Sequence, residues 1–129
     1  MSTRAVFTFK DPENQAHIYS HGDGYPTGAV ELLQNALRSG KVWPLPRFEA
    51  VEFSAGFVAA NKTGFGGIRI LKSRRAISDV EYGYSVCRKT SGEILLTVST
   101  IDGWRGWKEK TIWTGNLVDF TVDIAKTLQ

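Results

Sequence analysis

Apolar and polar positions alternate along Ala5-Val6-Phe7-Thr8-Phe9, and the aromatic and β-branched residues there predict a strand. The turn cluster Asp11-Pro12-Glu13-Asn14 separates it from a second short strand at His17-Ile18-Tyr19-Ser20, which predicts a hairpin over residues 5–20. The period then changes. Val30, Leu33 and Leu37 fall on one helical face, broadened by Leu32 and Ala36. A helix is expected from about Gly28 to Ser39, with Thr27 as its N-cap and Gly40 at its end. A proline-interrupted connection carrying Trp43 leads to a second helix from about Arg47 to Asn61. Phe48, Val51, Ala55, Val58 and Ala59 line one side of it, and Phe53 and Phe57 another. Apolar residues on most of the circumference predict a helix sandwiched between other elements.

Thr63-Gly64-Phe65-Gly66-Gly67 breaks that helix. Ile68-Arg69-Ile70-Leu71 reads as a short strand and Lys72-Ser73-Arg74-Arg75 as a basic loop. Val80–Val86 and Ile94–Ile101 alternate around the turn Thr90-Ser91-Gly92, which predicts a second hairpin. A turn at Gly103–Lys108 and a strand at Lys110–Thr114 follow. Asn116 is then expected to cap a closing helix through Thr127, with Leu117, Phe120, Ile124 and Leu128 as its stripe. The order ββααββββα predicts one α+β domain over residues 1–129. Its core would be an antiparallel sheet of about five to six strands with helices packed on one face.

Composition narrows the class. In 129 residues, 42% hydrophobic and 22% charged content is ordinary for a globular chain and argues against disorder. No apolar run approaches the ~18 residues that a membrane helix needs. The first ten residues lack a signal-peptide pattern and the last residues a lipidation signal, so a cytoplasmic protein is expected, with no membrane partner. Cys87 is the only cysteine, which excludes an internal disulfide and a cysteine-based metal cluster. A net charge of +3 permits an anionic partner without requiring one.

The most distinctive stretch is His21-Gly22-Asp23-Gly24-Tyr25-Pro26-Thr27-Gly28. A catalytic reading makes His21 a general base oriented by Asp23, and a metal reading adds His17. The turn reading is preferred: glycines on both sides of Asp23 suit an Asx-turn shaping the helix entry, with Tyr25 packed over it and Pro26 setting the chain direction. This stretch resembles the His-x-Asp-Gly-Tyr-Pro-x-Gly turn of small phage and prophage proteins. Gly66-Gly67-Ile68-Arg69-Ile70, Asp79-Val80-Glu81-Tyr82-Gly83-Tyr84 and Thr114-Gly115-Asn116-Leu117-Val118-Asp119-Phe120 resemble the segments that follow it, so the likeness runs from about Phe7 to Phe120. It implies an origin and an accessory role, and it carries no catalytic residues across.

Other constellations are weaker. Gly64-Phe65-Gly66-Gly67 follows a helix and precedes a strand, the reverse of a phosphate loop. Cys87 stands beside Arg88 and Lys89 with no histidine near in sequence. The best binding signal is Trp104-Arg105-Gly106-Trp107-Lys108, where two tryptophans and cations suit stacking on rings and contact with phosphate. Arg74 and Arg75 join it as binding residues if the two loops share one end of the sheet. The leading expectation is a phage- or prophage-type accessory protein without a cofactor. It would act by binding a host or phage protein, inhibiting a defence component, or by sequestering a nucleotide-like small molecule. Alternatives are weak nucleic-acid binding through the tryptophan loop, and a small hydrolase or transferase centred on His21 and Asp23. Tryptophan-rich loops and an exposed sheet edge also predict a homo-oligomer.

Overall fold

The computed structural model describes residues 2–129. Strands β1 (Ala5–Lys10) and β2 (Gln15–Ser20) form the first hairpin, followed by helices α1 (Pro26–Arg38) and α2 (Ala50–Asn61). Strands β3 (Ile68–Leu71), β4 (Tyr82–Arg88), β5 (Ile94–Asp102) and β6 (Lys108–Asn116) come next. A 3-10 turn (Leu117–Asp119) and a short helix α3 (Val122–Lys126) close the chain. The class is α+β, with a six-stranded, mostly antiparallel sheet.

Two expectations about the sheet need correction. Its strands lie in the order β3-β2-β1-β4-β5-β6 and not in chain order, and β1 pairs with β4 in parallel, so the sheet is mixed. The reason is the segment between β3 and β4. Both strands run in the direction of β1, so residues 72–81 must travel back along the sheet before β4 begins, as any connection between parallel strands must. That crossover covers part of the sheet face turned away from the helices.

Strand alternation divides the side chains between two layers. On the helix side Phe7, Phe9, Tyr84, Val86, Leu96 and Val98 meet Leu33, Phe53, Phe57, Leu117 and Phe120. The rings of Phe7 and Phe57 lie 4.9 Å apart and those of Phe9 and Phe53 5.0 Å. Each such buried phenylalanine contributes roughly 1.5–3 kcal/mol. On the other side a smaller cluster joins Val6, Tyr19, Val80 and Ile101 to Leu71, Ile77 and Trp107 under the crossover.

Helix boundaries follow local chemistry that differs from the sequence expectation. Pro26 takes the first position of α1, leaving Tyr25 and not Thr27 as the flanking residue. Helix α2 starts at Ala50 because the Asp11 carboxylate accepts the Ala50 N–H at 2.7 Å, while Glu49 stays extended. The sandwich expected for α2 is incomplete: its inner face is buried, but Val51, Ala55 and Ala59 face outward. The single closing helix is also corrected. Asn116 ends β6, and α3 begins only after Thr121, whose Oγ1 accepts the Ile124 N–H.

Candidate functional site

The crossover lays Arg74 across the sheet over Gly83. A Cβ at Gly83 would stand 2.5 Å from Arg74 Nη2 and 2.8 Å from Ile101 Cδ1, so only glycine leaves the channel open. Arg74 Nη1 donates to Thr8 Oγ1 at 2.9 Å and to Ser85 Oγ at 3.2 Å, and Nη2 forms an ion pair with Glu109. The second oxygen of Glu109 accepts the indole N–H of Trp107 at 3.1 Å. Burial pushes the Glu109 carboxyl up, but hydrogen bonds from Arg74 and Trp107, the Arg74 charge and the Ser99 hydroxyl more than reverse it and hold it low. Beside this bracket His17 Nδ1 lies 2.9 Å from Thr8 Oγ1, and burial followed by the Arg74 charge lowers its pKa.

One carboxylate therefore ties the basic loop to the tryptophan hairpin. Trp107 has a φ of 56°, a left-handed conformation costing a bulky residue about 1–3 kcal/mol. Its bond to Glu109 and its packing beside Val6, Tyr19 and Ile101 offset that cost. The Arg75 guanidinium stands 5.6 Å from the Trp107 ring. At the hairpin tip Trp104 is 76% exposed, and its N–H donates to Asp102 Oδ1 at 3.2 Å. Arg105 is exposed, 3.8 Å from Asp102.

Of the expected binding residues, Arg74, Arg75 and Trp107 come together on one face, and Trp104 and Arg105 extend from its rim. Lys108 does not join them. It pairs with Asp102 across the ladder, and alternation puts its side chain on the face opposite Glu109. Arg74 is also a bracket and not a free ligand-binding cation. Sequence reasoning missed Thr8, Ser85 and Glu109, since a lone glutamate between lysines carries no signal until its partner 35 residues upstream is placed beside it.

The turn from His21 to Gly28 is organised by backbone packing. A Cβ at Gly24 would meet Thr3 O at 2.7 Å, and one at Gly28 would meet Asp23 O at 2.2 Å. The Gly24 carbonyl accepts the buried Tyr84 hydroxyl at 2.7 Å. The expected His21–Asp23 pair is not brought together. Asp23 is exposed, with a φ of 58°, and its carboxylate reaches only the Tyr25 hydroxyl at 3.5 Å. His21 Nδ1 instead lies 3.0 Å from the Tyr19 hydroxyl and 3.4 Å from Arg4 Nε. Arg4 and Tyr19 both reach Asp79 Oδ2, at 3.0 and 3.3 Å. Burial, the Asp79 charge and its hydrogen bond raise the Tyr19 pKa. Pro26 is buried, and Tyr25 lines an open groove of about 490 Å³ with Glu31, Gln34, Arg38 and Val122. The Arg88 guanidinium, expected beside Cys87, donates to the Phe48 carbonyl.

Known protein families, curated proteins and solved structures offer no match to this chain. Among the described residues no three His, Cys, Asp or Glu side chains are grouped to hold a metal ion, and no helix is long and apolar enough to cross a membrane.

Proposed function

We propose that this chain is an accessory protein of the phage or prophage type that acts by binding. Its partner is a host or phage protein, gripped through the hairpin end that carries Trp104, Arg105 and Trp107 with Arg75 alongside. The carrying observation is Trp104, a large aromatic side chain 76% exposed on a hairpin whose base is fixed by the Arg74–Glu109–Trp107 bracket. Tryptophan and arginine dominate the energetics of protein interfaces, and a rigid mount spares the ordering cost of binding. Arg75 and Arg105 favour an acidic rim on the partner. Occlusion of a host defence component by such contact suits a small protein of this kind.

A second reading, single-stranded nucleic acid, is favoured by the same open indole face beside cations. The hydrolase or transferase reading loses the pair that motivated it, because His21 turns to Arg4 and Tyr19. Immobilised wild-type protein should retain a discrete host protein that Trp104→Ala loses, with the two variants melting at the same temperature. Equal retention by both variants contradicts the protein reading. A mobility shift of oligonucleotide that weakens steeply with salt, and is lost in Trp104→Ala, would install the nucleic-acid reading instead.

A further inference from the structure

Helix α2 carries the apolar content of a fully buried helix, yet a quarter of its circumference has no neighbour in the single chain. Val51, Ala55 and Ala59 form that outward stripe, with half-buried Val58 at its border, and Val51 is 54% exposed. Beside it runs a groove of about 410 Å³ lined by Ala16, Ile18, Val51, Ala55, Val58 and Ile70. Ile70 on the edge strand is 76% exposed, and Phe65, at the tip of the loop leaving α2, is fully exposed. Phe65 is thus a large apolar knob in the loop between α2 and β3, the two elements whose Val58 and Ile70 line that groove. Patches of this kind mark interaction sites.

We infer that the occupant is a second copy of this chain, related by a twofold axis across the middle of α2, with each Phe65 seated in the groove of the other copy. Antiparallel pairing of α2 with itself brings the C-terminal loop of each copy to the N-terminal half of its partner's helix, where Val51 and the groove lie. The charges agree with that register. Glu52 flanks the stripe near its N-terminal end and Lys62 near its C-terminal end, so each Glu52 meets the partner's Lys62. Two opposed helix dipoles add to the attraction. Lys62 Nζ already holds the carbonyls of Gly66 and Ile68, each at 2.9 Å, which leaves its third N–H for a carboxylate. Alanines at positions 55 and 59 allow the two backbones to approach. Such a dimer puts the two Trp104 hairpins at its far ends, since the hairpin joins β5 to β6 at the opposite edge from β3. The inference does not depend on the partner proposed for Trp104.

Sedimentation equilibrium tests it. Wild-type protein should show a concentration-dependent monomer–dimer equilibrium, and Phe65→Ala should weaken it by roughly 30-fold, a typical hot-spot loss. Phe65 is fully exposed, so the variant's melting temperature at low protein concentration should match the wild type. Glu52→Lys and Lys62→Glu should each weaken association, and the double exchange should restore it. A wild-type chain monomeric up to about 1 mM overturns the inference. So does a Phe65→Ala variant that associates as wild type, or a double exchange no tighter than either single one.

Discussion

Replacing Arg74 with methionine keeps much of the stem's packing while removing the guanidinium that ties the crossover to the sheet. Glu109 then keeps only Trp107 and the Ser99 hydroxyl, and Thr8, 7% exposed, keeps only His17. The charged bond to Glu109 joins side chains that are 22% and 28% exposed, so solvent screening reduces it to about 1–1.5 kcal/mol. The two bonds to hydroxyls add about 0.5–1 kcal/mol each. The expected loss is about 2–3.5 kcal/mol, read by urea denaturation as a lower midpoint at unchanged slope, and as a fall in Tm of roughly 7–13 °C. The pH dependence carries a sign. Because Glu109 is held below its ordinary pKa, its contribution is complete above about pH 4.3 and fades as the pH falls through its lower folded value. That acid limb should flatten in Arg74→Met. In a double-mutant cycle with Glu109→Gln the two sites should couple by about 1 kcal/mol. A loss below about 0.5 kcal/mol, or no coupling to Glu109, refutes the bracket.

Asp11 is almost fully buried and accepts the N–H groups of Glu13, Asn14 and Ala50; Asp11→Ala should cost about 2–4 kcal/mol in urea denaturation. Burial alone would raise its pKa, but the Ala50, Asn14 and Glu13 amides and the Arg88 charge hold it low. Its stabilisation is therefore complete above about pH 4, and Asp11→Asn should remove part of the wild-type stability loss below that value. Tyr84→Phe leaves the Gly24 carbonyl without its buried donor, and a fall of about 1–2 kcal/mol in thermal denaturation is expected.

Where period and turn chemistry act locally, the fold was legible in the sequence. Alternation in β1, β4 and β5 and the 3.6-residue stripe of α1 located those elements, since each buries the face its pattern describes. The parallel β1–β4 pairing was hidden because it depends on where ten residues between β3 and β4 travel. The end of the chain misled for a related reason. Leu117, Phe120 and Ile124 recur at helical spacing, yet they meet the core from a 3-10 turn and a separate short helix. The site was half visible. Trp104, Trp107, Arg74 and Arg75 are conspicuous by type, but the glutamate that joins the two loops and the glycine that admits Arg74 become meaningful only once the strands are in register. His21 shows the opposite case: it stands out in sequence beside Asp23, while its actual partners are the Tyr19 hydroxyl and Arg4, the latter 17 residues away.

A photo-crosslinking amino acid placed at position 104 in bacterial cells offers the most direct check on the proposed recognition through Trp104. The same residue at position 43 gives the comparison, because Trp43 is also a surface tryptophan but carries Arg47 over its ring, 3.4 Å from the centroid. Position 104 should yield a single heavier adduct containing a foreign protein, and position 43 should yield none. Adducts from position 43 alone, or from both positions alike, would contradict recognition through the tryptophan hairpin.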